Sequence, residues 1–395
     1  MPEELNKIEQ NNQSYISRVR LKGYKSIIDT EVELKPGLNI IIGANGSGKT
    51  NFVEFLKNSP FTYFFNSAHE CEIEGFMPHG YHFLYKRKVG EKIIENDREF
   101  IQKVQENYYV NGDLVEPRNY DFRVGNPPYQ VSGIHLANLM FHLIEYNLPK
   151  NIELLDEGLS LEGSWSSDLI FPSIFFKTNQ QFPNLVNEYV FSISDNIRQK
   201  KQVYRTSFYL SDNFEELILN LKKFSPVENL KIEDGFSFND KNINNKVEFN
   251  VSFLKLQFYI NDEWLYWNQL SDGTKRIFYI IAGIVLTKGI NIKFLLEEPE
   301  LGIHPHQLSR LMDFIKEQSE TKQIIITTHS PEVLNTLGMN ELDRIIVARY
   351  DKEKGTQLQH LSKDDMEYAR NYMKNELFLS DYWVMSGFET EEEGV

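Results

Sequence analysis

Eight consecutive residues, Gly43-Ala44-Asn45-Gly46-Ser47-Gly48-Lys49-Thr50, combine three glycines with a cation and two hydroxyls. The glycines let successive backbone N–H groups turn inward onto phosphate oxygens. Lys49 supplies a positive charge for the β- and γ-phosphates, and the Thr50 hydroxyl can ligate Mg²⁺. Asn51 completes the set at the mouth of the following segment. Such a loop works only between a strand and a helix. Leu38-Asn-Ile-Ile-Ile42 precedes it as an apolar, strand-like run, and Asn51 to Asn58 follows with helical character.

Three further segments carry chemistry at a distance along the chain. Ile292-Lys-Phe-Leu-Leu296 runs apolar into Glu297-Glu298-Pro299-Glu300, a strand end that puts one acid near a metal and the next near an attacking water. Leu270-Ser271-Asp272-Gly273-Thr274-Lys275-Arg276 opens a strongly apolar helix. Ser271 and the backbone around Gly273 read there either as an anion site or as a plain N-cap. Ile324-Ile-Ile-Thr-Thr328 is a strand ending at His329. Each of the three has an ordinary structural reading when taken alone; their order after a phosphate loop does not.

In that order the motifs resemble the ATP-binding-cassette ATPase head, within the soluble branch shared by SMC-like, RecF-like and OLD-type ATPases. Ser17-Arg-Val-Arg-Leu-Lys-Gly-Tyr-Lys25-Ser26-Ile resembles that branch's first-strand motif, and Glu297-Glu-Pro-Glu-Leu-Gly-Ile-His-Pro-His-Gln307 its fused Walker B and D-loop. The resemblance covers 16–58 and 257–347. It implies an α/β fold: a P-loop ABC-ATPase head with a mixed β lobe and an inserted, mainly helical lobe. The corresponding division is 1–60 with 250–350 as a discontinuous ATP-binding core, 61–131 as the β lobe, 132–249 as the helical partner lobe and 351–395 as a C-terminal extension.

The resemblance further implies ATP and Mg²⁺ as ligands. Lys49 and the amides of Gly43 to Gly48 would hold phosphates, with Thr50 and Glu297 on the metal. Glu298 would be the general base and His329 the switch histidine. Ser271 and Gly273 would reach, in trans, the nucleotide of a second subunit. Glu297 departs from the Asp that many heads carry, and the Q-loop is left between Gln102 and Gln130.

The remaining sequence sets the frame. Apolar residues make up 41% and charged residues 25% of 395, a globular composition. The net charge of −15 argues against a general coat of positive charge for duplex DNA, although local basic clusters stand at Lys86-Arg87-Lys88, Arg198 to Lys201 and Lys222-Lys223. The single cysteine, Cys71, excludes a disulfide framework and any multi-cysteine zinc site. The polar N-terminus is no signal peptide, and the longest apolar stretch, Ile277 to Leu286, is too short to span a bilayer as a helix. A soluble, cytoplasmic protein is expected.

Strand patterns lie at Ile16 to Leu21 and Glu31 to Leu34, and a meander runs over 81–115 with Asn111-Gly112 as its turn. Apolar residues at helical spacing predict helices through Leu136, Leu139, Met140 and Leu143 and through Phe214, Leu217, Ile218 and Leu221. A polar loop is expected over 239–246, and a solvated acidic tail from Asp364.

Only 66 residues follow His329, too few for the TOPRIM nuclease domain of OLD-type proteins, and His79-Gly-Tyr-His82 lacks the acids or cysteines of a metal site. The expected function is therefore an ATPase sensor or scaffold of an anti-phage complex. It would form a homo-oligomer through ATP-sandwiched heads and control a separate effector, a nuclease or toxin, without membrane involvement. The alternative is a RecF-like repair ATPase that clamps DNA as an ATP-bound dimer.

Overall fold

A computed structural model describes residues 14–58, 69–77, 80–96, 99–123, 142–146, 161–166, 212–243, 246–286, 292–375 and 377–386. The chain divides into two units. Met1–Tyr146, Gly289–Leu301 and Ile315–Val395 form the first, and Asn147–Lys288 with Gly302–Phe314 the second.

The first unit is built on a twelve-stranded mixed sheet. Strands β1 (Tyr15–Tyr24), β2 (Ile27–Glu33), β3 (Leu38–Ile42), β4 (Glu70–Phe76), β5 (His82–Asn96), β6 (Glu99–Val110), β7 (Asp113–Arg123) and β8 (His142–Tyr146) are joined by β13 (Ile292–Glu297), β14 (Gln323–Thr328), β15 (Ile345–Asp351) and β16 (Gly355–His360). Their spatial order is β7-β6-β5-β4-β1-β2-β16-β15-β3-β14-β13-β8. One end is an antiparallel meander, and the other, β15-β3-β14-β13-β8, is parallel.

The difference follows from sequence. The β3 and β14 strands are buried at every position, as strands covered on both faces must be. In the meander, apolar and charged residues alternate. Helix α1 (Lys49–Asn58) packs Phe52, Val53, Phe55 and Leu56 into the cluster that also holds Ile41, Leu295 and Ile325.

On the outer face of the meander four adjacent strands each carry one sign of charge. β2 presents Asp29, Glu31 and Glu33; β1 Arg18, Arg20 and Lys22; β4 Glu70, Glu72 and Glu74; β5 Lys86 and Lys88. Arg18 lies 2.6 Å from Glu74, 3.2 Å from Glu31 and 3.6 Å from Glu72, Lys86 is 3.1 Å from Glu72, and Lys88 is 2.9 Å from Glu70. Burial raises the Glu74 carboxyl, but hydrogen bonds from Arg18 and His82 outweigh it and hold the group below its ordinary range. The basic cluster at Lys86 and Lys88 is thus matched by facing acids. His82 belongs to this surface, with Nε2 2.6 Å from Glu74.

The second unit contains strands β9 (Leu161–Ser166), β10 (Asn229–Ile243), β11 (Lys246–Ile260) and β12 (Glu263–Tyr266) with helices α2 (Asp212–Phe224) and α3 (Asp272–Leu286). Trp267 is buried among Phe258, Phe278 and Tyr279 and packs against α3, whereas Trp264 is partly exposed beneath the Lys231 ammonium. Helix α4 (Pro305–Ser319) follows the acidic turn. Helices α5 (Lys363–Met373) and α6 (Leu379–Ser386) close the described chain.

Several local expectations hold. The Asn111-Gly112 turn has φ of 50° and 88°, as a two-residue hairpin demands, and the helix over Leu217 and Leu221 forms with both buried.

Three expectations are corrected. The helix expected through Leu136 to Leu143 is a strand at His142–Tyr146, which gains parallel pairing along β13, while Leu136, Leu139 and Met140 lie outside the described residues. The loop expected over 239–246 is instead strand as far as Ile243 and again from Lys246, since β10 and β11 pair out to those two residues. The segment from Lys363 is helical, opened by Ser362, whose hydroxyl caps the Asp365 amide. Gln130 and Arg198 to Lys201 lie outside the described residues, and Gln102 sits on β6.

Candidate functional site

The parallel strands end on one edge, and their loops carry the chemistry there, where ligands bind in open α/β sheets. Ile42 of β3 pairs with Thr328 of β14, and Glu297 of β13 pairs with Thr327. Two backbone bonds tie the loops to that central strand. The Gly43 amide donates to the Thr328 carbonyl at 3.3 Å, and the Glu298 amide to the Thr327 carbonyl at 2.7 Å. The phosphate loop, the acidic pair and His329 therefore hang from three adjacent strand ends.

Gly46 and Gly48 have φ of 84° and 95°, a region that disfavours any side chain. The Lys49 ammonium is buried and donates to the carbonyls of Gly43 at 2.6 Å and Ala44 at 3.0 Å, so the cation is already drawn over the loop. Ser47 is buried, and its hydroxyl has no hydrogen-bond partner among the described residues. Asn51 does not face the loop alone: its amide nitrogen donates to the Ser26 hydroxyl at 2.6 Å, which in turn bonds the Thr356 hydroxyl at 2.7 Å. Lys25, with φ of 50°, pairs with Glu54 of α1. The Lys25-Ser26 turn, the helix behind the loop and β16 are thereby linked. Sequence reasoning missed Thr356, a buried threonine beyond the recognised motifs with no motif of its own.

At the other strand ends, Glu298 has φ of 44°, an unusual backbone for a residue with a side chain. His329 Nδ1 lies 3.2 Å from Glu298 Oε1 and 3.7 Å from Glu300 Oε1. Two carboxylates thus face one ring nitrogen, an arrangement that favours a proton on Nδ1, since an ionised carboxylate only accepts. Glu297 and Thr50 carry a carboxylate and a hydroxyl, the kind of hard oxygen donor that Mg²⁺ takes. Among the described residues no group of three or more His, Cys, Asp or Glu could hold a metal.

Ser271 and Gly273 belong to the second unit. Ser271 caps α3, accepting from the Thr274 amide at 3.1 Å, and is exposed at the helix N-terminus. A Cβ on Gly273 would lie 2.6 Å from the Gly302 carbonyl, so the first turn of α3 and the backbone at Gly302 are in direct contact.

Residues 38–335 match the family described as "AAA domain, putative AbiEii toxin, Type IV TA system", and the chain belongs to that family of ATPases. It is similar to the Septu protein PtuA of Bacillus thuringiensis, with 22% identity over 83% of this chain and 74% of the relative. It also resembles the DNA double-strand break repair Rad50 ATPase of Methanopyrus kandleri, 30% identical over 27% of this chain and 11% of the relative. The DNA replication and repair protein RecF of Salmonella arizonae is 28% identical over 29% of this chain and 36% of the relative. Among solved structures, the SMC head domain of Thermotoga maritima aligns over 88% of this chain and 99% of its own, at 14% identity and a TM-score of 0.42. No described helix is long and apolar enough to cross a membrane.

Proposed function

We propose that the protein is a regulatory ATPase of an anti-phage system, which assembles with further copies of itself through shared ATP sites and controls a separate effector. The observation that carries this reading is the convergence of the phosphate loop, Glu297-Glu298 and His329 on the ends of β3, β13 and β14. The likeness to PtuA over most of both chains supports the defence setting.

In this reading the amides of Gly43 to Gly48 and the Lys49 ammonium bind the β- and γ-phosphates. Thr50 and Glu297 hold Mg²⁺, which when bound neutralises charge on those phosphates. Glu298 takes the proton of the attacking water as the new P–O bond forms; the bond to the β–γ bridging oxygen breaks, and ADP leaves with that oxygen. His329, with Nδ1 3.2 Å from Glu298, is oriented toward the terminal phosphate and the water. Ser271 and the backbone at Gly273 complete the site of a second copy, where the exposed N-terminus of α3 favours anions. Turnover is slow, because a switch needs lifetime more than flux. Residues 132–249 hold the effector.

The DNA-clamp alternative finds less support, since the Lys86 and Lys88 charges are matched by Glu72 and Glu70. The test is mass by light scattering of wild type and Glu298→Gln, each with and without ATP–Mg²⁺. A nucleotide-dependent rise in mass, larger in the variant because it binds without turning over, is expected. An unchanged mass in every condition refutes assembly through ATP, and loss of ATP binding in the variant refutes the role of Glu298.

A further inference from the structure

Glu300 has no part in the reaction as derived above, yet it is the most enclosed acid at the site. Its side chain is 7% exposed. One oxygen, Oε1, accepts the Thr328 hydroxyl and lies 3.7 Å from His329 Nδ1; the other, Oε2, is buried with no hydrogen-bond partner among the described residues. A buried carboxylate oxygen left unmatched costs stability, and such groups persist where they serve a site. The Thr328 hydroxyl is itself committed, since it also accepts the Ser330 amide at 2.9 Å. Glu300 is therefore anchored to the strand end from which His329 projects.

A second carboxylate beside Nδ1, at 3.7 Å longer than a hydrogen bond but near enough to become its acceptor, resolves a conflict. His329 Nδ1 lies 3.2 Å from Glu298, the residue read above as the base. A base that turns to a water must let go of the imidazole, and an imidazole without an acceptor on Nδ1 is free to rotate or change tautomer. We propose that Glu300 is a positioning residue: fixed by Thr328, it keeps the Nδ1 proton of His329 in place when Glu298 moves to the water. This rests on the hydrolytic reading of the site. The residue acts through His329 and touches no nucleotide.

The test uses the full chain with ¹⁵N-labelled imidazoles, His329→Gln assigning the His329 signals. In wild type without nucleotide, His329 is expected as the Nδ1-protonated form. Glu300→Leu should move its Nδ1 resonance, lower kcat about 10- to 100-fold and leave KM for ATP–Mg²⁺ within about twofold, the range seen when a group orienting a functional histidine is lost. Glu300→Gln keeps an oxygen at the Oε1 position and should restore kcat to within about threefold of wild type. In a His329→Gln background Glu300→Leu should add no further loss. Thr328→Val, which removes the anchor of Glu300 together with the acceptor of the Ser330 amide, should lower kcat in the same direction and move the His329 Nδ1 resonance, and it decides the matter if Glu300→Leu does not fold. Unmoved His329 signals, additive losses, or an effect confined to KM would overturn the proposal. If wild type hydrolyses no ATP, the hydrolytic reading falls, and the His329 spectrum alone still judges the contact with Glu300.

Discussion

Gly48 of the phosphate loop sits directly against Thr356 of β16: a Cβ built on Gly48 would lie 2.7 Å from the threonine Cγ2 and 2.8 Å from its Cβ. With φ at 95°, residue 48 is barred from a side chain twice, by its backbone and by its neighbour. Gly46, with φ of 84° and nothing near its missing side chain, is barred only once. Gly46→Ala should therefore cost about 1 kcal/mol of backbone strain and weaken nucleotide binding modestly. Gly48→Ala should cost about 3 kcal/mol or more and abolish binding of a fluorescent ATP analogue. Thermal melts and analogue titrations of the pair check this; equal effects would mean that Thr356 yields easily.

A second prediction concerns Lys293, fully buried on β13 with its ammonium donating to the Ser14 hydroxyl at 2.6 Å. Burial pulls its pKa down to about 7 from 10.5. Between those values the unfolded chain holds a proton that the folded chain has released, so stability rises with pH across that window, by at most on the order of 1 kcal/mol per pH unit. Lys293→Met has no such proton. Urea midpoints at pH 7, 8 and 9 should show wild type gaining on the variant as pH rises, and parallel curves would contradict it.

The exposed cap of α3 offers a separation of stability from assembly. Ser271→Arg removes the cap, at about 1 kcal/mol, and places bulk where a second copy's phosphate is proposed to dock. Ser271→Asp keeps the cap but sets a negative charge there. Both should bind ATP as single subunits and lose the dependence of specific activity on protein concentration, with only the arginine variant melting lower. Retained concentration dependence in both would exclude a shared site at Ser271.

The parts legible in the sequence were those where one residue type has one use. Leu38 to Ile42 followed by the glycines of the loop admitted a single local structure, and the strands ending at Glu297 and Thr328 carry apolar centres, Phe294 to Leu296 and Ile324 to Ile326. His142–Tyr146 was not legible, because five residues with apolar neighbours do not distinguish a strand from a helix, and pairing along β13 settles it. Thr356 and Glu300 were hidden for another reason. Their importance lies in what they touch, Ser26 from 330 residues away and Thr328 from 28, and no local pattern records a distant partner.

The columns of charge on the meander bear on how that sheet assembles. Because β2, β1, β4 and β5 alternate in sign, exchanging any two adjacent strands would set like charges side by side, whereas sliding one strand by two residues would leave every column matched. Electrostatics on the solvent face thus selects which strand is the neighbour but is nearly blind to alignment. Alignment falls to the other face, where Val19, Ile73, Tyr85 and Tyr108 meet across four strands and differ too much in shape to be shifted. Strand order and strand alignment are encoded on opposite sides of the same sheet, so that salt can loosen the first without disturbing the second.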